Sequence, residues 1–343
     1  MKYIPYLDGW RGLAICFLLI GHFFPVPGIN LGTAGVNLFF VLSGFLMARI
    51  LFLESVPIST FYARRAARIF PAVLFFVSAV LVLWVALGKT ISWTETAAAL
   101  AFINNYFPGE PGAAVMPFGH IWSLCVEEHS YVLLTIIAVG ARAALLRAKL
   151  TVGLCTAVFA LAGTGYWLGY TGENLEFDRW LHSEVSAFGI FASAFMLLVA
   201  DGRRIPPLPL LVVPALIGFG FAMHWWSVPA PVRTVFGVGA FALAINLLEG
   251  APRLVHHALS FAPLRQLGLW SFSIYLWQQP FYLLVHRDGM SPLVGLGLAI
   301  AAGIGSFYFL ENPARRYLNR KWAEKNAPAL LSVAPSITPE KIL

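Results

Sequence analysis

Charged residues are scarce in this chain. Asp, Glu, Lys and Arg make up 11% of its 343 residues, whereas hydrophobic residues make up 59%; soluble domains carry about 25% charged residues. The shortage excludes an organisation into soluble domains, because their surfaces would need many more charges. Much of the surface is therefore expected to face lipid. The sequence predicts an all-α polytopic membrane protein whose main partner is the lipid bilayer.

Cysteine is also scarce, and its placement excludes two kinds of site. Cys16, Cys125 and Cys155 all lie in apolar segments, at spacings that fit neither a disulfide framework nor a zinc site, so we expect no bound metal. The net charge of +7 comes from short basic clusters between apolar runs. That pattern is typical of loops that set membrane topology, and we expect no nucleic acid partner.

About ten apolar runs are long enough to cross a bilayer, which takes roughly 20 residues each. They fall at about 10–27, 34–53, 69–88, 118–140, 150–170, 183–200, 208–225, 231–249, 265–286 and 291–310. A shorter run at 94–106 ends in two asparagines. If it does not cross and the N-terminus is cytoplasmic, all but four of the 23 Lys and Arg residues lie inside. The four exceptions are Lys89, Arg179, Arg233 and Arg287.

The sequence thus predicts about ten transmembrane helices, a re-entrant or interfacial segment near 94–106, and two cytoplasmic termini. Residues 1–317 form the predicted transmembrane domain. Residues 318–343 form a predicted cytoplasmic tail that is basic at first, then polar and partly disordered from about residue 326.

Ionisable residues within a span are costly and point to function. In the first span, Arg11 and His22 are separated by about three whole turns and share one helix face, with Asp8 about 40° away. His22 would lie about 18 Å into the membrane, near its midplane. A neutral imidazole there could accept a proton from a hydroxyl as a general base. The structural alternative is a histidine satisfied by a helix carbonyl or hydroxyl.

Glu127 and Glu128 lie at a similar predicted depth on the fourth span. Glu127 would lie about 13 Å in from residue 118, within a few ångströms of the depth of His22. One carboxylate could orient and charge-stabilise the imidazole. Since adjacent helical residues point about 100° apart, only one glutamate need face it. The alternative is a structural glutamate that is hydrogen-bonded inside the bundle.

Arg64, Arg65 and Arg68 precede the third span and would form one cationic helix face. Guanidinium groups match phosphate oxygens bidentately, so the cluster could bind a phosphorylated ligand such as coenzyme A. The alternative is a topology signal that binds anionic lipid headgroups.

The ninth span offers hydroxyls and amides at mid-depth. Tyr275, Gln278 and Gln279 could line an acceptor sugar site, and Pro280 should kink the helix and free carbonyl groups. The alternative is hydrogen bonding between helices. On the second span, Ser43 lies about 13 Å in, again close to the depth of His22, where packing is a better interpretation than a nucleophile.

Six segments, in their order and spacing, resemble the membrane acyltransferase 3 family. Each segment is weak evidence alone, but the six together are specific and extend from residue 7 to about residue 317. The segments are residues 7–12 (followed by Gly21 and His22), 35–45, 61–71, 122–128, 273–277 and 311–313.

This resemblance implies ten helices and an acyl-CoA donor that enters from the cytoplasm. The implied acceptor is a hydroxyl on a cell-envelope sugar or a related glycoside. The resemblance also implies that Arg11 and His22 are essential and that Arg65 and Arg68 serve the donor site.

Three positions depart from the usual family pattern. Asn37 stands where Asp is common, and His129 stands where Gln is more usual. Gln278 stands where many relatives have His, so a second histidine is not available at that position.

The sequence therefore predicts an O-acyltransferase of the bacterial inner membrane, above all an O-acetyltransferase. Its donor would be acetyl-CoA or another acyl-CoA, and its acceptor a glycan or lipid-linked sugar. His22 is expected to act as the general base or to carry the acyl group transiently, with Glu127 or Glu128 orienting it. Arg11 would stabilise the oxyanion or bind a phosphate. The expected substrate-binding residues are Asp8, Asn37, Ser43, Trp122, Ser123, Tyr275, Gln278 and Gln279.

The main alternative is a transporter or flippase for a lipid-linked sugar, which would use the same buried charges for substrate or proton coupling. The arginine cluster distinguishes the acyltransferase from the flippase, since only a CoA-dependent enzyme needs Arg65 and Arg68 for donor affinity. A membrane scaffold would leave His22 and the two glutamates without a purpose. The sequence does not distinguish acetyl from succinyl donors, one glycan acceptor from another, the membrane side of transfer, or the oligomeric state.

Overall fold

The computed structural model describes residues 3–107, 116–169, 180–200 and 203–331, and within them every regular element is helical. An isolated bridge joins Ile29 to Trp225. The α-helices are α1 (Pro5–Phe23), α2 (Leu31–Ala48), α3 (Ile58–Ala86), α4 (Trp93–Leu100), α5 (Trp122–Arg142), α6 (Ala148–Leu168), α7 (Ser183–Ser186), α8 (Phe188–Ala200), α9 (Val212–Ala222), α10 (Ala230–Val232), α11 (Gly239–Leu247), α12 (Arg253–Leu259), α13 (Ala262–Asp288), α14 (Pro292–Ser306) and α15 (Asn312–Leu331).

Six helical segments of the described chain are long and apolar enough to cross a membrane. The protein is therefore a multi-pass membrane protein. The six are Leu31–Leu53, Ile58–Ala86, Gly119–Arg142, Ala148–Leu168, Ala230–Gly250 and Pro292–Asn326. Several of them join an α-helix to a π-helical or 3-10 turn, as α2 continues into the π turn Arg49–Leu53.

The predicted count of about ten spans is confirmed for these six only. Helices α8 and α9, with 13 and 11 residues, are shorter than the roughly 20 residues that are needed to cross a bilayer. Helices α1 and α13, with 19 and 27 residues, are long enough but less apolar, because polar side chains face the bundle interior.

The ends of α1 follow from proline positions. Pro5 occupies the first turn, where its fixed φ suits a helix start. Pro25 and Pro27 follow the last helical residue, Phe23, and their neighbours cannot continue an α-helix. The helix is therefore shifted towards the N-terminus relative to the predicted span 10–27, and His22 lies in its last turn.

Arg142 marks one end of the bundle. Arg142, the last residue of α5, donates to the carbonyl oxygens of Leu51 and Val56 at 2.8 and 3.1 Å, in the connection between α2 and α3. We call this end, at which α1 also begins, the inner end, and the opposite end the outer end.

The segment near 94–106 does not cross the bundle. Helix α4 has eight residues, a rise of about 12 Å against a hydrocarbon core of roughly 30 Å. The 3-10 turn Asn104–Tyr106 follows it. Asn104 Nδ2 donates to the carbonyl oxygen of Phe118 at 3.1 Å, which fastens the segment to the outer end where α5 begins.

Helix α1 is packed most extensively against α13 and α2, and the contacts are close enough to involve backbone. A Cβ atom at Gly268 on α13 would lie 1.8 Å from the carbonyl oxygen of Asp8, and one at Gly35 on α2 would lie 2.6 Å from that of Ala14. Small residues allow this approach between membrane helices. The three helices therefore form a tight group that fixes the positions of Arg11 and His22.

The C-terminal region is more regular than the predicted tail. Helix α15 continues to Leu331 and packs against α3, so residues 318–331 are helical. The rest of the predicted tail, 332–343, lies outside the described residues.

Replacing Gly268 by Ala tests this packing. We expect Gly268→Ala to destabilise the fold by about 1–3 kcal/mol or more, because the added methyl group meets backbone that cannot rotate away. Gly297→Ala on α14 is the matched control, since nothing lies within 4 Å of its Cβ position. Thermal unfolding of both purified variants in one detergent gives the comparison; equal unfolding temperatures would contradict the packing.

Candidate active site

A cavity of about 120 Å³ lies in the inner half of the bundle. Its wall combines three guanidinium groups, one carboxylate and several hydroxyls with an apolar surface. Such a pocket, apolar with a few placed polar groups, is typical of ligand sites. The lining residues are Arg11, Val36, Phe39, Phe40, Leu42, Ser43, Leu46, Met47, Arg65, Arg68, Ile69, Ser123, Leu124, Glu127, Tyr131, Ser271, Phe272 and Tyr275.

Arg65 is the centre of a partly buried ionic network in this wall. Its Nε and Nη2 atoms lie 2.8 and 2.7 Å from Glu128 Oε1, and Nη2 lies 3.4 Å from Glu127 Oε2. The guanidinium carbon stacks 3.5 Å from the centre of the Tyr131 ring. Glu127 also accepts hydrogen bonds from Ser43 Oγ at 2.8 Å and from the Tyr131 hydroxyl at 2.9 Å. Arg65 is therefore neutralised by protein groups.

Arg11 and Arg68 present the other positive charges of the cavity. Arg11 Nη1 donates to Asp8 Oδ1 at 2.6 Å, one turn earlier on α1. Arg68 lies 5.9 Å from the centre of the Phe272 ring and has no carboxylate partner among the described residues. Arg64 is exposed and does not line the cavity. The arginine cluster thus divides into one paired, one exposed and one uncompensated side chain.

His22 lies in a separate polar group, nearer the outer end. Its Nδ1 atom is 2.8 Å from Gln278 Oε1, and the Gln278 amide nitrogen donates to Gln279 Oε1 at 3.3 Å. With the amide so oriented, Nδ1 carries the proton and Nε2 keeps its lone pair. The imidazole ring packs 4.9 Å from that of Tyr282. A Cβ atom at Gly32 would lie 3.2 Å from Nε2, so glycine leaves room beside the basic nitrogen.

Ser123 and Tyr275 lie between the cavity and the histidine group. The two hydroxyls are 2.6 Å apart, and the Tyr275 hydroxyl donates to the carbonyl oxygen of His120. The His120 ring is 5.2 Å from that of Tyr275 and lies within electrostatic range of His22. His120 is 4% exposed, and neither ring nitrogen has a partner among the described side chains and backbone.

The sequence predicts that Glu127 or Glu128 orients His22, but neither glutamate lies beside His22 in the structure. His22 lies against Gly32, whereas Glu127 bonds to Ser43, about 16 Å further along α2 at 1.5 Å per residue. The expected depths were too similar because α1 ends at Phe23 and α5 begins only at Trp122. Gln278 takes the position beside His22 at which a carboxylate was expected.

The remaining predicted residues are dispersed. Asn37 Nδ2 lies 3.1 Å from Nε2 of the buried His224, and Trp122 makes an edge-to-face contact with Phe40 at 5.9 Å. Neither side chain lines the cavity. Asp8 does not line the cavity but is bonded to Arg11, which does.

Sequence reasoning missed several residues of the site. Tyr131 lies one helical turn after Glu127, a spacing that could have indicated their hydrogen bond. Arg315 lies one turn after Glu311, a residue of the last family segment, and has Arg68 among its charged neighbours. No local signal distinguishes His120 or Tyr282, because their positions depend on how the helices are packed.

Comparison with known proteins gives one family and several relatives. A family model described as an acyltransferase domain (acyltransferase 3) matches residues 4–311. The O-acetyltransferase OatA of Staphylococcus aureus strain NCTC 8325 is 24% identical over an alignment of 353 positions, which covers 92% of this chain and 58% of OatA. A protein of Komagataeibacter xylinus that bears the provisional name membrane-bound transacylase BcsY is 29% identical, over 96% of this chain and 87% of BcsY.

This chain spans little more than half of the staphylococcal protein, 58% of its length. No solved structure matches this chain. The comparisons therefore bear on the family and on the helical domain that the family model covers.

The different surroundings of Arg65 and Arg68 predict different stability effects. Arg65→Ala leaves the partly buried Glu127 and Glu128 without a cation, which should cost up to about 3–5 kcal/mol of unfolding free energy, the value for a fully buried pair. Arg68→Ala breaks no ion pair and should change stability by about 0.5 kcal/mol or less. Thermal unfolding of the two variants in detergent measures the difference.

A triple variant provides the control for this comparison. Arg65→Ala combined with Glu127→Gln and Glu128→Gln removes the unpaired charges and should recover part of the lost stability. An Arg68→Ala variant as unstable as Arg65→Ala would show that the assigned pairing is wrong.

Proposed function

Because this chain belongs to the acyltransferase 3 family, whose model matches residues 4–311, we propose that it is an integral-membrane O-acyltransferase. It transfers an acyl group, in the first instance acetyl, from acyl-CoA to a hydroxyl of a cell-envelope polysaccharide, lipid-linked sugar or related glycoside. The observation that carries this proposal is the His22–Gln278 pair, which holds a basic imidazole nitrogen inside a membrane bundle. The name of the staphylococcal relative, an O-acetyltransferase, supports acetyl as the transferred group.

The donor is assigned to the inner cavity. Arg68, which lacks a carboxylate partner in the described chain, and Arg11 place positive charge where phosphates can approach. The apolar wall suits the pantetheine arm, which carries the thioester. Glu127 then acts on the cavity rather than on His22, because it holds Ser43 and Arg65 in place.

His22 is assigned the role of general base. Its Nε2 atom takes the proton of the acceptor hydroxyl as the hydroxyl oxygen attacks the acyl carbonyl carbon. The C–S bond of the thioester then breaks, and the departing thiolate takes the proton from the imidazolium, which gives the acyl ester and CoA. Gln278 holds the reactive tautomer throughout and, being neutral, does so without adding a charge to the bundle.

The protein is also assigned an orientation in the membrane, with its inner end on the cytoplasmic side. With the inner end in the cytoplasm, most of the Lys and Arg residues lie inside, as the positive-inside rule requires. The protein would then lie in the bacterial inner membrane with both termini in the cytoplasm, where acyl-CoA is available to the cavity.

The first prediction concerns His22 itself. We expect His22→Ala to reduce acyl transfer by about 10²- to 10⁴-fold, the usual contribution of a general base. Mass spectrometry of envelope glycans from expressing cells shows the added acyl mass and identifies the acceptor. His257→Ala, which changes an exposed histidine, is the matched control, and membrane abundance is measured for every variant.

The same measurement tests the alternative function. Unchanged glycan acylation, together with a changed distribution of a lipid-linked sugar across the membrane, would favour a flippase and reject the acyltransferase.

The second prediction concerns Gln278. Gln278→Leu should lower acyl transfer by about tenfold or more, because the lost hydrogen bond releases the tautomer and the ring orientation. Gln278→Glu keeps an acceptor for Nδ1–H and should retain more activity than Gln278→Leu. Equal activities for the two variants would mean that Gln278 does not orient His22.

A further inference from the structure

Glu311 is a buried carboxylate outside the residues discussed for catalysis. It ends the π-helical turn Phe307–Glu311 and is 1% exposed. Its Oε2 atom accepts a hydrogen bond of 2.6 Å from Ser273 Oγ on α13, and its Oε1 atom lies 3.9 Å from Arg315 Nη1. Asn312 Oδ1 accepts a second bond from Arg315 Nη2 at 3.1 Å. Arg315 is therefore held in a fixed position from one side.

The position of Arg315 is beside the cavity arginines. The π turn and α15 both pack against α3, the helix that carries Arg68. Arg68 exerts the strongest repulsive electrostatic effect on both Arg315 and Arg11, and Asp8 attracts both. Because α15 and the π turn are packed against α3, Arg315 lies on a helix next to the one that brings Arg68 into the wall of the cavity.

The charges in this cluster do not balance. Arg11 is paired with Asp8 at 2.6 Å. Arg315 has a long contact with Glu311, whose second oxygen is occupied by Ser273, and Arg68 has no carboxylate within the part of the chain that the structure describes. Like charges at this range repel one another in a medium of low dielectric constant. A bound anion would relieve that repulsion.

The cluster is also accessible. The side chains of Arg11 and Arg315 are 20% and 33% exposed, and Arg11 and Arg68 line the cavity. An anion that enters from the inner end can therefore contact the arginines while the rest of the ligand extends into the bundle.

We propose that Arg315, together with Arg68 and Arg11, forms a binding site for a phosphate group of the nucleotide portion of the donor. The inference rests on the proposed function, which supplies a donor that contains an adenosine nucleotide and a long arm. An anionic lipid headgroup offers the same phosphate chemistry. The nucleotide is favoured because the cluster opens into a cavity inside the bundle, whereas a headgroup would remain at its lipid surface.

A binding measurement tests the site separately from catalysis. The full chain is placed in nanodiscs of zwitterionic lipid and titrated with CoA and with adenosine 3′,5′-bisphosphate, which has no thiol and no acyl group. Arg315→Ala should weaken both ligands by about tenfold, the effect of one charge-assisted hydrogen bond. Arg315→Lys keeps the charge but loses the bidentate geometry, and should bind with intermediate affinity.

Arg320→Ala is the matched control, because it removes an equal charge from the same helix at a side chain that is 71% exposed. It should change affinity by less than about twofold. Thermal unfolding is measured for each variant, and Arg315→Lys, which leaves a cation near Glu311, keeps the test valid if Arg315→Ala unfolds.

The outcomes separate this site from the proposed function. Wild-type affinity for CoA in folded Arg315→Ala would overturn the role of Arg315 and leave the acyl-CoA donor standing. If the wild type binds neither ligand, the acyl-CoA donor itself is wrong, and this site with it. Nucleotide binding that disappears in nanodiscs containing phosphatidylglycerol, with Arg315→Ala affecting only lipid retention, would assign the cluster to lipid headgroups instead.

Discussion

A charge inside a membrane bundle is costly unless it is neutralised, and the pairing with Glu127 and Glu128 neutralises Arg65 in the inner half of the protein. Two carboxylates share one guanidinium, and hydroxyls from Ser43 and Tyr131 complete the shell around Glu127. The network joins α2, α3 and α5, and therefore fixes the spacing of three helices that line the cavity. Arg65 contributes to the cavity by holding these helices together, because its charge is already paired.

The same requirement explains why the histidine group has neutral partners. His22 is bonded to an amide, is packed on Tyr282, and lies near the unpaired ring of His120. A carboxylate there would need its own cation, and the arginines that line the cavity lie in the inner half of the bundle. An amide fixes the tautomer without that cost. The division into an ionic inner group and a neutral outer group therefore follows from the position of the arginines.

Sequence patterns predicted an all-helical membrane protein correctly, and six of the about ten predicted spans are long and apolar enough to cross a membrane, because apolar runs and proline positions are local signals. They also identified Arg11, His22, Arg65 and Glu127 as the unusual polar residues of their helices. They could not assign partners, since a shift of one turn moves a side chain by about 5.4 Å and changes its neighbours. The ends of α1 and α5 differ from the predicted spans by about one turn. This shift is enough for Glu127 to pair with Arg65 instead of His22, and for Gln278 to bond to His22.

The separation of the two groups constrains any transfer reaction in this bundle. The hydrogen-bonded Ser123 and Tyr275 form part of the wall of the inner cavity, and His22 lies outside that wall. A thioester held in the cavity has to pass the Tyr275 hydroxyl before it can meet a hydroxyl activated by His22. Under the proposed function, donor and acceptor therefore approach from opposite ends and meet beside Tyr275.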